Sequence, residues 1–424
     1  ELGPADAAVY GARYPGTAPE YQFGRATADL LNEVDARLPA GDTLLTVLPD
    51  YSGTTDSPYL QGTRDGALSP TVGVLWTGPK VRASRFKAYE AAQYGRLIGR
   101  TPIMWENWVA RDFVPARIFL GPFNALPGEV HAVRGFFFNP ANEPDLNMLP
   151  LATAGAWLQN PKSYDPRTAW LTAVDELAGG RQPLEDELRA WAETSYSSGL
   201  KATEAPTAVR LQDALLAAYE SGARWTDAAD SLGGELALVA QARSGLRRLP
   251  DRRIAQQAAS FLLAAAQTAR AGKRALDLLA AERPSLTLTS IGNGFDGQVA
   301  APDPATATSL RAKLASAAAT ARNSPVYTFG CRVAVRGCGP AGGLNTMDDF
   351  IAKVTALDAV WAPSADLAAG QVTVMAGKKR IHPDASGRFT LPAKACGERV
   401  LATDGAGGAT SLPLPACPKK PKKH

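Results

Sequence analysis

Val72-Gly73-Val74-Leu75-Trp76 runs directly into Thr77-Gly78-Pro79-Lys80-Val81. An apolar run of this length, closed by a Gly-Pro pair, reads as a strand buried on both faces and stopped by a turn. Toward the N-terminus, Leu44-Leu45-Thr46-Val47-Leu48 has the same character and ends at Pro49. Toward the C-terminus, Pro102 to Trp105 forms a third such run, and Val130 to Phe138 a fourth that stops at Asn139-Pro140. Helical patterns lie between and before them. Phe23, Ala26, Leu30, Val34 and Leu38 fall on one helical face, and Ser84 to Leu97 reads as a helix. Short buried strands separated by helical crossovers predict a parallel sheet covered on both faces, an α/β architecture.

Four such units make half of an eight-stranded barrel. The expected architecture is therefore the second half of a (β/α)8 TIM-type barrel over residues 1–152. A half barrel leaves two strand edges and an open interior, so four further strands are expected upstream or from another chain. Residues 153–283 change character to alanine, leucine, glutamate and arginine at helical spacing, which predicts an α-helical bundle domain. Within it, Arg253 to Glu282 reads as one long helix with Gly272 as a point of interruption, and Pro284 closes the region. Residues 284–424 are richer in Gly, Pro, Thr and Ser and predict a small β-containing module. Its short strands are Val372 to Val374, Arg380 to His382 and Arg388 to Leu391, with a turn at Asp384 to Gly387. A helix from Met347 to Leu357 precedes them.

Composition narrows the function classes. The chain has 424 residues and a net charge of +4, so its charge balance implies neither a nucleic-acid nor a membrane partner. Its richest apolar stretch, Phe261 to Ala266, is too short to span a bilayer. Lys419 to His424 reads as a solvated basic tail, with contact to a cell-surface polyanion as the other reading. The chain opens at Glu1 without a methionine, which suggests that an upstream segment has been removed. The four cysteines, Cys331, Cys338, Cys396 and Cys417, all sit in the last quarter. An even count there suggests two disulfides and a secreted or cell-surface protein, with buried thiols as the other reading. No Cys-x-x-Cys pair is present, and no metal or other cofactor is implied.

In parallel β/α barrels the chemistry sits where strands give way to loops at the C-terminal face. The strand exits carry Asp50-Tyr51, then Trp76-Thr77 to Val81, then Trp105-Glu106-Asn107 with Asp112, then Asn139. Aromatic rings that stack on sugar C–H faces, with amides and carboxylates that bridge hydroxyls, are the lining of a carbohydrate site. Each residue alone has a structural reading as core, cap or ion-pair partner. Their shared place at four successive strand ends favours the sugar site.

The motifs Trp76-Thr77-Gly78-Pro79-Lys80-Val81, Trp105-Glu106-Asn107 with Asp112, Arg117 to Pro122, and Phe138-Asn139-Pro140 together resemble glycoside hydrolase family 84. These are the O-GlcNAcase-like β-N-acetylglucosaminidases. The resemblance implies a retaining, substrate-assisted hydrolysis of terminal N-acetylglucosamine through an oxazoline, on a glycan or glycoprotein substrate. It implies catalytic support from Tyr51 and Asn107. It implies substrate binding by Thr77, Val81 and Trp105 around the acetamido group, and by Asp112 and Asn139 at the hydroxyls. The family's adjacent aspartate pair falls, by this resemblance, just before Glu1, so this chain alone is expected to be incomplete and inactive. Asp348-Asp349 is the chain's adjacent Asp pair and reads as a helix-start feature, not as catalysis. A non-catalytic carbohydrate-binding or cell-surface interaction protein, working through the cysteine-bearing module, is the alternative.

Overall fold

The computed structural model describes residues 7–413 apart from 16, 84, 113, 125–129, 198–203, 222–224, 282–284, 292–293, 301–303, 331–344, 362–372, 393–394, 396–398 and 404–408. The described residues fall into two compact units, one ending at Ala173 and the other starting at Val174. All four cysteines and the basic tail lie outside the described residues.

The first unit begins with α1 (Ala7–Arg13) and α2 (Pro19–Asp35). Then come β1 (Leu45–Val47), α3 (Pro58–Asp65), β2 (Gly73–Trp76), α4 (Ala88–Ile98), β3 (Ile103–Glu106), β4 (Phe136–Phe138) and α5 (Met148–Gln159). The strands form one parallel sheet in the order β1-β2-β3-β4, with Val47 opposite Leu75, Leu75 opposite Ile103, and Trp105 opposite Phe137. Strand order equal to chain order, with α3 and α4 crossing between β1, β2 and β3, is the (β/α) repeat that the sequence pattern predicts. Local chemistry sets the helix ends. Ser57 accepts a hydrogen bond from the Leu60 amide at 3.1 Å, with Pro58 opening α3, and α4 stops at Gly99 with φ +72.

One face of the sheet is sealed. Leu48, Val74, Trp76 and Met104 pack with Leu60, Ala91, Tyr94, Ile98 and Trp157 in a single apolar core. Trp76 stacks on Tyr94 with ring centroids 5.5 Å apart. Helices α2 and α3 approach closely through paired glycines. A Cβ on Gly24 would lie 2.0 Å from the Tyr59 carbonyl oxygen, and one on Gly62 would lie 2.1 Å from that of Tyr21.

The other face departs from the expectation of burial on both sides. Leu45 and Val47 are each 40% exposed, and Phe137 is also exposed. β1 and β4 are edge strands, and side chains alternate across a strand, so Leu45, Val47, Trp105 and Phe137 share the uncovered face. The predicted apolar stripe of α2 is corrected for the same reason. Ala26 is buried, but Leu30 and Val34 are exposed, Leu30 lining the cavity beside β1, while Gly24 and Ala28 make the buried contact. The predicted strand over 130–138 is shorter than expected. Val130–Ala132 is a 3-10 turn, and pairing with β3 starts at Phe136.

The boundary between the units falls within α6 (Pro166–Ala178). The second unit continues with α7 (Gln182–Glu193), α8 (Pro206–Ser221), α9 (Trp225–Gly245), α10 (Arg252–Gln257) and α11 (Ala259–Ala281). The predicted long helix breaks at Ala258, not at Gly272. Gly272 is helical because α13 (Thr346–Trp361) crosses there, and a Cβ would lie 2.5 Å from the Met347 sulfur. Helix α11 also packs against α9 and α12 (Pro304–Arg322). Arg189 on α7 donates to Glu235 on α9 at 2.7 Å and to Glu193 at 3.4 Å, an ion cluster within the bundle.

Asn345 caps α13 by accepting from the Met347 and Asp348 amides. Asp348 and Asp349 stand in its first turn, paired with Arg322 and Lys353. A helix-start role therefore holds for the pair, although the cap itself is the preceding asparagine. The remaining strands are β5 (Ser285–Ile291), β6 (Gly294–Ala300), β7 (Thr373–Ala376), β8 (Lys379–Ile381), β9 (Arg388–Pro392), β10 (Arg399–Thr403) and β11 (Ala409–Pro413). They form two antiparallel sheets, β5-β6-β9 and β11-β10-β7-β8, around Phe295, Val299, Val374, Phe389, Leu391 and Val400. The turn before β9 is closed by Asp384, whose carboxylate accepts from the Ser386 and Arg388 amides.

Candidate functional site

Four successive strand exits of the first unit are tied to one another. The Thr77 amide donates to the Tyr51 carbonyl at 2.8 Å, and the Gly53 amide donates to the Gly78 carbonyl at 2.9 Å. These bonds join the loop after β1 to the loop after β2. Trp76 Nε1 adds a third tie, to the Gly53 carbonyl at 2.9 Å. The buried Thr77 hydroxyl donates to the Lys80 carbonyl at 3.0 Å, which curls the 77–81 loop back on itself. Gly78 allows that curl with φ +89, a conformation costly for any side chain with a Cβ.

Asn107 is the next link. Its Nδ2 donates to the Val81 carbonyl at 2.7 Å, and its Oδ1 accepts from Asn139 Nδ2 at 2.9 Å. The Asn139 amide in turn donates to the Glu106 carbonyl at 2.8 Å. One buried amide therefore fixes the exits of β2, β3 and β4 together, using a donor and an acceptor at once. Tyr51 and Trp105 meet across the mouth with ring centroids 5.5 Å apart and planes tilted by 54°. Both rings line a cavity of about 940 Å³ that runs along β1 and α2, past Asp50, Pro49, Thr46 and Phe23.

Six of the seven sequence-predicted site residues are thus connected: Tyr51, Thr77, Val81, Trp105, Asn107 and Asn139. Val81 takes part through its carbonyl, and its side chain is 49% exposed. Asp112 is exposed and, among the described residues, takes no part in these bonds.

Glu106 is the feature that sequence reading passed over. Side chains alternate along β3, so Trp105 and Asn107 share the site face and Glu106 points to the opposite one. It is only 3% exposed, and its Oε2 has no hydrogen-bond partner among the described residues. Burial pushes its carboxyl up to about 8, and the nearby charge of Arg82 offsets part of that rise. The signal was available in the sequence: a glutamate ends a buried strand, between the two residues Trp105 and Asn107 assigned to the site face.

Comparison with known proteins fits this geometry. A family model for β-N-acetylglucosaminidase matches residues 10–193. Residues 10–193, less than half of the chain, are therefore similar to β-N-acetylglucosaminidases. Protein O-GlcNAcase from Rattus norvegicus and from Mus musculus are each 31% identical to the chain over 145 residues. That match covers 32% of this chain and 16% of each relative's own length. Among solved structures, an O-GlcNAc hydrolase mutant from Thermobaculum terrenum is similar, with a TM-score of 0.63 and 19% identity over 86% of this chain and 71% of that one. The structure of CpGH84B is similar with a TM-score of 0.59 and 18% identity, covering 79% of this chain and 55% of that one. These two likenesses establish a shared α/β fold with helical content.

Proposed function

We propose that the tied strand exits form part of the sugar pocket of a retaining β-N-acetylglucosaminidase. In this reading the sugar's own 2-acetamido oxygen attacks the anomeric carbon and gives an oxazoline. A protein carboxylic acid protonates the leaving oxygen, then activates water. Trp105 supplies an aromatic wall for the acetamido group, and Thr77 and Val81 the loop that closes over it. Tyr51 stands with its ring against Trp105, placed to act near the reacting centre. Asn107 and Asn139 offer amides beside that wall, and Asp112 takes distal hydroxyls. A rigid pocket that holds an internal nucleophile near attack geometry lowers the barrier by several kcal/mol, about 7–11 at the upper limit.

The mechanism needs an adjacent aspartate pair at the end of a strand beside β1. The free edge of β1 and the exposed apolar face carrying Leu45, Val47 and Phe137 support a closed barrel in which further strands complete the sheet. The partner in that reading is the other half of the barrel, and residues 1–152 are the half described here. The substrate is a glycan or glycoprotein ending in N-acetylglucosamine. The cysteines of the last quarter support a secreted or cell-surface location.

The observation that carries this reading is the chain of bonds through Asn107, which brings the exits of β2, β3 and β4 to one place. The test is hydrolysis of an aryl N-acetyl-β-glucosaminide by this chain together with polypeptide that completes the sheet at β1. Turnover that drops in Tyr51→Phe, with substrate affinity kept, supports it. Hydrolysis indifferent to Tyr51, Asn107 and Asp112 would remove it.

A further inference from the structure

The loops after β3 and β4 are each closed on themselves. After β3, the Val114 amide donates to the Arg111 carbonyl at 2.8 Å, and the Arg117 amide to the Val114 carbonyl at 2.9 Å. After β4, the buried Asn147 side chain donates to the Ala141 carbonyl at 2.7 Å and accepts from the Ala141 amide at 3.2 Å. Arg111 and Glu143 join the two loops. Arg111 Nε donates to Glu143 Oε2 at 2.8 Å, and Arg111 Nη2 donates to Oε1 of the same carboxylate. Arg111 Nη1 donates to the carbonyls of Pro115 and Arg117, the latter at 3.3 Å. One guanidinium therefore closes its own loop and grips the next, with both side chains largely removed from water at 14% and 19% exposure.

We propose that Arg111 and Glu143 are positioning residues that set the spacing of Asp112 and Asn139, and through it the recognition of sugar hydroxyls. This rests on the sugar-pocket reading, in which Asp112 and Asn139 bind those hydroxyls. Asp112 follows Arg111 directly and is exposed, whereas Asn139 is held by its bonds to Glu106 and Asn107. The guanidinium attaches the segment carrying Asp112 to the loop that starts at Asn139. A planar fork on both carboxylate oxygens resists rotation as well as separation, which a point charge does not. An exposed ion pair adds little, because water and salt compete for both partners. Partial burial and two bonds to one carboxylate take this pair out of that class. N-acetylglucosamine differs from its 4-epimer in one hydroxyl. Drift of Asp112 relative to Asn139 should therefore blur that distinction more than it slows chemistry at the anomeric carbon.

The experiment compares the parent with Arg111→Met, Arg111→Lys, Glu143→Gln and the Arg111→Met/Glu143→Gln double variant. The first readout is hydrogen exchange at the bonded amides of Val114, Arg117, Ala141 and Asn147 in the 424-residue chain. The second is kcat and KM for an aryl N-acetyl-β-glucosaminide and its galacto epimer, with the sheet completed at β1. Arg111→Met and Glu143→Gln should each speed exchange at those amides about ten-fold, the low end for a lost charge-assisted hydrogen bond, with α3 and α4 unchanged. The double variant should add little to either, and Arg111→Lys should restore part of the protection. Each single variant should raise KM for the glucosaminide about ten-fold and narrow its preference over the epimer, with kcat kept. Unchanged exchange, additive effects, or equal loss of protection throughout the first unit would each overturn the tie. Loosened loops with the epimer preference intact would overturn its part in recognition. If the parent hydrolyses neither substrate, the sugar-pocket reading fails and the recognition role falls with it, while exchange still decides the tie.

Discussion

Replacing Asn107 by aspartate tests the strand-exit network with the smallest possible change. The side chain keeps its shape and its Oδ1, so it still accepts from Asn139 Nδ2 at 2.9 Å. What changes is the atom facing the Val81 carbonyl at 2.7 Å, which turns from a donor into an oxygen. The lost hydrogen bond costs about 1 kcal/mol, and two acceptors left facing each other in a part-buried place add about 1–3 kcal/mol. A negative charge held against that carbonyl, next to buried Glu106, raises the total further, so about 3 kcal/mol is expected at pH 8.

Acid should rescue the variant. The carboxyl at 107 is destabilised when charged, so its folded-state pKa lies above the unfolded value of about 3.9. The folded state then holds the extra proton, and the penalty appears as pH rises through and above that value. Near pH 4 the neutral acid donates its O–H to the Val81 carbonyl, and the gap to the parent should narrow to about 1 kcal/mol. The assay is urea denaturation with exchange read over residues 72–108, because the two units have separate cores and need not unfold as one. A variant within about 0.5 kcal/mol of the parent at pH 8, or a penalty independent of pH, would refute the reasoning.

Three further outcomes follow from separate parts of the molecule. Glu106 has a folded-state pKa of about 8 against an ordinary 4.5, so its contribution to stability falls as pH rises through that window and is level beyond it. The slope approaches about 1.4 kcal/mol per pH unit, and Glu106→Gln should flatten it in pH-dependent urea titrations. Gly24→Ala places a Cβ 2.0 Å from the Tyr59 carbonyl oxygen, which should force α2 from α3 and lower stability by about 3 kcal/mol, read as a drop in Tm. Arg189→Met leaves the buried carboxylate of Glu235 without the guanidinium it meets at 2.7 Å, so the bundle should lose about 3–5 kcal/mol by denaturant titration.

Much of this was legible in the sequence because the signals were local. Apolar runs ended by Pro49, Gly78-Pro79 and Asn139-Pro140 located the strand exits that the structure ties together through Thr77, Asn107 and Asn139. The Gly272 break was misread because glycine in a helix looks like an interruption until its neighbour is known. Met347 packs where a Cβ would sit, and no local pattern announces a contact so distant in the chain. The exposure of Leu30, Val34, Leu45 and Val47 was equally hidden, since apolar spacing reports which residues share a face and not what covers it. The β5-β6 hairpin and α12 were missed between stronger helical signals. Asp112 was placed by motif alone, and the structure sets it at the surface rather than in the bonded group.

The most direct measurement follows side-chain amide signals of Asn107 and Asn139, with indole signals of Trp105, by nuclear magnetic resonance during titration with N-acetylglucosamine and, separately, glucose. Shifts in all three residues with N-acetylglucosamine, saturating together and absent with glucose, are the predicted result. Unmoved Asn107 and Trp105 signals, or identical responses to the two sugars, would contradict an N-acetyl pocket at these strand exits.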